Sequence, residues 1–251
     1  MKLKFKILNK EKLAEFIFDL KDTLNKEDIE KNENPFDCIY INFSKDLIKE
    51  ILSTKKLNKK IKKKIIKEIK YQEKELINDR KKLKKIENYW KEIENLFFSE
   101  MQKYFGKNSI KKTYLCYITK KIVSGYFKKN EITLNTKKEN ESSFIIAEEI
   151  LHLIYWRFWE KIFNKKIEDK IYEGSSWSPW NISEIIPEYL LIENPNFNKF
   201  YWHKQKRPYP FIKNLRKILD PIWTNKKNME DFIIKSQKEI NKINRLKSNP
   251  K

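Results

Sequence analysis

Apolar residues recur at helical spacing over most of the chain. Near its start, Leu13, Phe16, Ile17 and Leu20 lie one, three or four positions apart, which places them on one helix face. The region from Ser44 to Phe105 contains almost no Gly or Pro, so it predicts two or three consecutive helices. Outside that region, the pattern predicts helices over 10–25, 142–165, 183–193, 210–219 and 227–246.

The spacing changes after residue 109, where Ile, Tyr, Thr and Val become frequent and tend to alternate with polar residues. This pattern predicts a small β-meander, with strands near 112–119, 121–128 and 131–135. Helices before and after a short sheet are typical of the α+β class. We therefore expect a mainly helical α+β protein with a small antiparallel or mixed sheet, at about 110–135, packed on a buried helix. Residues 1–108 form its N-terminal helical region and residues 109–251 form the core with the C-terminal helices, and we expect the two regions to make one compact unit.

Lysine dominates residues 55–85, which predict a solvated helical arm able to serve as an interaction surface. The whole chain carries 56 basic and 35 acidic residues, a net charge of +21. One explanation is a polyanionic partner such as nucleic acid, bound without sequence preference. The other is a compositional bias toward Lys, Ile and Asn. Because Arg, the usual bidentate phosphate ligand, is scarce, we attribute most of the charge to composition.

Several classes of protein are disfavoured by composition. No apolar run is long enough to span a bilayer, and the basic N-terminus lacks the apolar segment of a secretory signal. The two cysteines, Cys38 and Cys116, are far apart, which indicates reduced thiols and a cytoplasmic protein. Cys116 is expected to be a small buried hydrophobe. Three glycines in total argue against a phosphate-binding loop or a dinucleotide fingerprint.

One segment, IIAEEILHLIYW at residues 145–156, sets polar side chains in a strongly apolar helix. Glu148 and His152 are four residues apart and Glu149 and His152 are three apart, so all three approach one face. They could form a narrow solvent-facing stripe together with Glu160. Alternatively, they form a buried polar cluster, which would need partners because an unpaired buried charge is very costly.

The order of strand, turn, strand, buried polar helix, loop and second helix resembles the gluzincin metallopeptidases. That family carries His-Glu-x-x-His on a buried helix and a glutamate ligand on a later helix. In this chain, Glu149 matches the general base and His152 the second metal-binding histidine. In the later helix, SEIIPEYL, Glu184 matches the glutamate ligand, with Glu188 as a substitute one turn further on.

The resemblance implies a zincin-like fold, a bound Zn²⁺ or another divalent metal, and a peptide or protein substrate. Tyr189 would then point near the same pocket. The chain departs from the motif at Glu148, which stands where the family has its first histidine. An additional carboxylate ligand makes a site more anionic and lowers the Lewis acidity of its metal. Three possibilities follow: a metallopeptidase with altered ligands, a metal-free pseudo-peptidase that binds a protein partner, or a basic nucleic-acid-binding protein.

The resemblance also assigns peptide binding to a strand before the motif helix, either Ser124–Tyr126 or residues 131–134; both are equally compatible with an ordinary sheet. The loop 174–180, with its two tryptophans, could overhang the site or serve packing. His203 lies among aromatic and basic residues and is expected at the surface. A di-iron site would need a second Glu-x-x-His, but Phe200 precedes His203 by three residues.

Overall fold

The computed structural model describes residues 1–21, 41, 43–69, 73–127, 130–136, 141–167, 178–200, 202 and 211–248. Within these ranges, the side chains of residues 73–77, 126–127 and 245–248 are not described. Three features named from the sequence therefore lie outside the described residues: Cys38, His203 and most of the loop 174–180.

The described helices account for most of the structure. In chain order they are α1 (Lys10–Leu20), α2 (Lys45–Ser53), α3 (Lys59–Glu68), α4 (Glu73–Phe105), α5 (Ser142–Phe163), α6 (Ser178–Pro187), α7 (Ile212–Thr224) and α8 (Met229–Ser248). A π-helical turn, Glu188–Ile192, continues α6, and 3-10 turns cover Lys107–Ser109 and Pro195–Phe200. The prediction of two or three helices between residues 44 and 105 is confirmed, since α2, α3 and α4 lie there. Gly106, at a φ of 70°, follows the last residue of α4, as expected of a glycine that ends a helix.

The sheet has four strands, β1 (Lys2–Ile7), β2 (Thr113–Thr119), β3 (Gly125–Phe127) and β4 (Glu131–Asn135), in the order β1-β2-β4-β3. β1, β2 and β4 are parallel, and only the short β3 runs antiparallel, beside β4. The coarse prediction of an α+β protein is confirmed, but the predicted meander is wrong. β2 and β4 are buried along most of their length and pair with each other, as strands inside a mainly parallel sheet do.

The sequence pattern did not predict β1. Lys2, Lys4 and Lys6 alternate with Leu3, Phe5 and Ile7, and the three lysines are exposed. Lysines on an edge strand discourage pairing with another chain. The alternation was present in the sequence, but the high lysine content of the whole chain obscured it.

The chain divides into two compact units. The sheet unit comprises Lys2–Ile93 and Thr113–Ile146, and the helical unit comprises Met1, Glu94–Lys112 and Ala147–Lys251. The boundary between the two units does not follow residue 108, because α4 and α5 each contribute residues to both units.

One apolar cluster of the sheet unit joins α1, α2 and α3. α1 contributes Leu13, Phe16 and Ile17, and α3 contributes Ile61 and Ile65, all nearly inaccessible to solvent. The prediction of a solvated arm at 55–85 is therefore wrong for α3. Its isoleucines recur every four residues and form a stripe that packs into the core, while its lysines cover the other side.

In the helical unit, α6 differs most from its predicted bounds. It begins at Ser178 and not at residue 183, so Asn181 and Ser183 lie inside the helix and do not cap it. Pro187 is its last residue and not part of its first turn. Because proline cannot donate a backbone hydrogen bond, the regular ladder is interrupted there, and a π-helical turn follows.

None of the helices in the described ranges is both long and apolar enough to cross a membrane.

Candidate functional site

The first half of the candidate site lies on α5. This helix is buried around most of its circumference, with Ile146, Ile150 and Ile154 fully inaccessible. Within it, Glu148 and Glu149 are half-buried, whereas His152 is only 5% exposed. The solvent-facing stripe considered from the sequence is therefore wrong for His152, because its imidazole lies inside the helical unit.

α5 is held in position by two polar contacts made by aromatic side chains. The Tyr155 hydroxyl donates a hydrogen bond to the carbonyl of Pro179, in the first turn of α6, at 2.8 Å. The Trp159 indole N–H donates to Oε1 of Gln237, on α8, at 3.0 Å. These bonds give the buried polar tips of two large side chains a partner and fix α5 relative to both helices.

The second half of the site lies on α6 and its π-helical continuation. Residues 181–191 are all buried, including Glu184 at 6% and Glu188 at 7% exposure. These two glutamates are four residues apart, which corresponds to about one helical turn. Two buried carboxylates on a helix with no exposed residue in this stretch require a compensating environment.

α5 and α6 bring His152 and Glu184 together. Nε2 of His152 lies 3.7 Å from Oε1 of Glu184, and both side chains are less than a tenth exposed. This distance exceeds that of a direct hydrogen bond, which is about 2.7–3.2 Å. We call these two residues the His152–Glu184 pair. An imidazole and a carboxylate so placed can attract each other when the imidazole is protonated, or can flank a third group.

The other residues predicted for the site are distributed differently. Glu148 and Glu149 precede His152 on α5, so their backbone positions are those that the motif predicts. In the described ranges, no group of three or more His, Cys, Asp or Glu side chains could hold a metal ion. The structure thus brings together His152 of α5 and Glu184 of α6. That Glu148 or Glu188 joins them as a metal ligand remains a prediction.

Glu188 and Tyr189 lie beside a second group of charges that the sequence did not reveal. On α7, Arg216 forms ion pairs with Glu193 and, at 3.3 Å, with Asp220. Its Nη1 also lies 3.9 Å from Oε2 of Glu188. We call Glu188, Tyr189, Glu193, Arg216 and Asp220 the Arg216 cluster. It connects the π-helical turn to α7.

The contacts of Tyr189 belong to this second group. Its hydroxyl donates to Oδ1 of Asp220 at 2.7 Å, and its ring stacks on Trp223 with the centroids 4.4 Å apart. Burial raises the pKa of the Tyr189 phenol well above its usual range, and the bond to the Asp220 carboxylate raises it further. Tyr189 is thereby held as a neutral donor to Asp220, and its hydroxyl belongs to the Arg216 cluster.

Two further predictions can be compared with the structure. Cys116 in β2 is fully buried, as expected of a cysteine that acts as a small hydrophobe. Trp180, at the end of the predicted overhanging loop, packs its ring against Phe211 with the centroids 5.6 Å apart. For this tryptophan, the packing interpretation has direct support.

Comparison with known proteins adds no relative. No protein-family model, no curated protein and no solved structure matches the chain.

Proposed function

We propose that this chain is a zincin-like, metallopeptidase-related protein whose polar site is built around His152 and Glu184. One observation carries the proposal: two helices that are separate in sequence place a buried imidazole and a buried carboxylate 3.7 Å apart. These are two of the three positions that the degenerate motif assigns to metal binding. Glu149 is the candidate general base, three residues before His152 on the same helix.

The spacing of the pair fits two ligands of one metal ion. Zinc binds histidine nitrogen and carboxylate oxygen at about 2.0–2.2 Å, so two ligands at a tetrahedral angle are separated by roughly 3.4 Å. The observed 3.7 Å is close to that value and too long for a hydrogen bond. In this proposal, Glu148 is the third candidate ligand on α5, and Glu188 is the substitute on α6.

In this proposal, some of the side chains bind the metal ion and another transfers a proton. His152 and Glu184 hold the ion, and when bound it supplies Lewis-acid polarisation of a peptide carbonyl. Glu149, only half-buried, can accept a proton from water and deliver it to the leaving amine. The apolar walls of α5 and α6 exclude bulk water, which strengthens the electrostatic interactions of the pair.

Metal content tests the proposal directly. We would measure zinc in the purified, untagged protein after zinc loading and gel filtration, beside His152→Ala and His203→Ala. The second variant is the matched control, because it removes the only other histidine. Near-stoichiometric zinc in the wild type and His203→Ala, with loss in His152→Ala, is expected. The same zinc content in all three proteins, or none in any, would refute metal binding by the pair.

Catalysis is tested separately, with Glu149→Gln and the control Glu160→Gln on the same helix. If the protein is a peptidase, Glu149→Gln retains zinc and loses hydrolysis of a peptide library, while Glu160→Gln keeps both. Zinc binding without hydrolysis by the wild type would support the alternative of an inactive pseudo-peptidase that binds a protein partner.

A further inference from the structure

The segment before α3 and the outer side of α3 are rich in lysine. Residues 51–67 contain eight lysines and no Asp or Glu. Two of the eight turn toward acidic partners: Lys62 pairs with Glu15 and Lys64 with Glu50. The other six are exposed, and we call them the lysine face: Lys55, Lys56, Lys59, Lys60, Lys63 and Lys67.

Among the described residues, no carboxylate lies within ion-pair distance of the lysine face. The next acidic residue along the chain, Glu68, is engaged elsewhere. Its carboxylate accepts hydrogen bonds from the backbone N–H and the hydroxyl of Ser44, at 2.7 and 2.6 Å. The positive charge of the lysine face is therefore available to a partner.

The lysine face does not stabilise the helix that carries it. Lys59, Lys63 and Lys67 follow one another at four-residue spacing, and each such like-charged pair costs about 0.2–0.5 kcal/mol. Lys59 and Lys60 also place positive charge at the helix N-terminus, where the helix dipole disfavours it. Burial of Ile61 and Ile65 and the cap at Asn58 hold α3 in place.

Lysines elsewhere in the chain are arranged differently. On α8, Lys235 lies 2.9 Å from Asp231, and Lys242 lies 3.7 Å from Glu239. On α4, Lys91 lies 3.6 Å from Glu87. A second basic run, RKKLKK at residues 80–85, lies on α4. The lysine face differs from the lysines of the three ion pairs above because, among the described residues, it has no acidic partner.

We propose that the lysine face binds the sugar-phosphate backbone of a nucleic-acid duplex, without reading its sequence. From Lys59 to Lys67 the helix extends about 12 Å, a length over which duplex DNA carries roughly seven phosphate charges. Lysine is a point charge suited to phosphates, whereas base recognition usually depends on bidentate side chains such as Arg. This inference is independent of the proposed metal site.

Other polyanions fit the surface less well. A helix that inserts into a lipid surface needs an exposed apolar face, but Ile61 and Ile65 are buried in the core. Binding of single strands usually depends on aromatic side chains that stack on bases, and residues 51–67 contain no aromatic residue. A lysine surface that lacks exposed apolar or aromatic side chains is suited to the outer phosphates of a duplex, whose bases are stacked in its interior.

The test compares two variants of equal net charge in the full chain. The first changes Lys59, Lys60, Lys63 and Lys67 to Gln. The matched control changes four exposed lysines of the helical unit to Gln: Lys161, Lys213, Lys217 and Lys238. Fluorescence anisotropy with a labelled 20-base-pair DNA duplex, repeated with duplex RNA, gives affinity at several salt concentrations.

For the lysine-face variant, we expect the affinity for the duplex at 100 mM salt to fall about tenfold or more. The slope of log affinity against log salt concentration should decrease by the equivalent of about three to four phosphate contacts. For the control variant, that slope should decrease by the equivalent of less than about one phosphate contact. Equal losses in both variants, or no loss in either, would overturn the proposal. Circular dichroism and urea unfolding should show the lysine-face variant folded, since it removes like-charge pairs.

Two further measurements identify the partner class. Anionic phosphatidylserine vesicles that bind more tightly than the duplex, and lose that binding in the lysine-face variant, would replace nucleic acid with a membrane surface. His152→Ala should bind the duplex as the wild type does. Failure of the metal proposal would therefore leave this result unaffected, and the two proposals can fail separately.

Discussion

The helical unit contains two polar groups that differ in how closely their members approach. In the Arg216 cluster, the shortest contacts are direct hydrogen bonds and ion pairs, such as the 2.7 Å bond from Tyr189 to Asp220, while Arg216 and Glu188 are 3.9 Å apart. In the His152–Glu184 pair, a nitrogen and an oxygen of opposite chemical character are held 3.7 Å apart inside the protein. The Arg216 cluster is thus joined by direct hydrogen bonds, whereas the separation of the His152–Glu184 pair is longer than a direct hydrogen bond.

The two groups also differ in burial. Arg216 and Asp220 have side chains 31% and 46% exposed, so water screens their attraction, and each ion pair contributes little to stability. His152 and Glu184 are almost entirely withdrawn from water. Burial of such groups costs several kcal/mol unless it is compensated.

The largest effect that would sharpen this comparison is a zinc-dependent gain in stability. A ligand that binds only the folded state at a concentration 100 times its Kd raises the free energy of unfolding by about 2.7 kcal/mol. We expect zinc to have this effect on the wild type and not on Glu184→Gln at the same zinc concentration. Urea unfolding with zinc and with chelator measures it.

The control for this experiment is Arg216→Ala, in which the zinc effect should persist at full size. In chelator, Glu184→Gln should differ from the wild type by less than about 1 kcal/mol, because the amide keeps the shape of the carboxylate. If zinc stabilises Glu184→Gln as strongly as the wild type, Glu184 is not a ligand and the contrast between the two groups disappears.

A smaller effect is expected in the Arg216 cluster. Arg216→Ala removes the cation near the buried Glu188 carboxylate and the partner of Glu193. We expect a loss of about 1–2 kcal/mol in the free energy of unfolding, limited by the partial exposure of the cluster. Arg216→Lys should recover only part of it, since lysine cannot reach several acceptors at once. An unchanged stability of Arg216→Ala would remove the structural role assigned to this group.

The sequence predicted the motif helix better than the helix that completes the site. The prediction of 142–165 agrees with α5 (Ser142–Phe163), because apolar residues surround the helix and polar segments flank it. The start of α6 was placed five residues too late. Pro179, in its first turn, was the available signal, since proline is favoured at the start of a helix.

Tertiary pairing could not be predicted from the sequence in the same way. Glu188 and Arg216 are 28 residues apart, and periodicity alone does not show that the π-helical turn and α7 meet. For the sheet, the sequence predicted strands at 113–119 and 131–135. It did not predict that these two strands are parallel neighbours and that β3 lies at the edge of the sheet, beyond β4. Local sequence patterns predict individual helices and strands. Which helices and strands pack together depends on burial of apolar surface across the whole unit.

The smallest predicted effect concerns the hydrogen bond between Tyr189 and Asp220. Tyr189→Phe removes one donor and should lower the free energy of unfolding by about 1 kcal/mol at pH 7. Because burial and Asp220 raise the pKa of the folded phenol, only the unfolded state ionises near pH 10. The wild type should therefore lose stability as the pH rises above about 10, by about 1.4 kcal/mol per pH unit once ionisation of the unfolded phenol is complete.

Tyr189→Phe lacks this loss, so the difference between the two proteins should shrink above pH 10 and vanish near pH 11. Urea unfolding of both proteins between pH 7 and 11 measures it, and the comparison cancels the titration of the lysines common to both. A difference that stays constant over this range would mean that the phenol ionises equally in the folded and unfolded states. Tyr189 would then be accessible to water. The direct hydrogen bond to Asp220, by which the Arg216 cluster differs from the His152–Glu184 pair, would then not be protected from solvent.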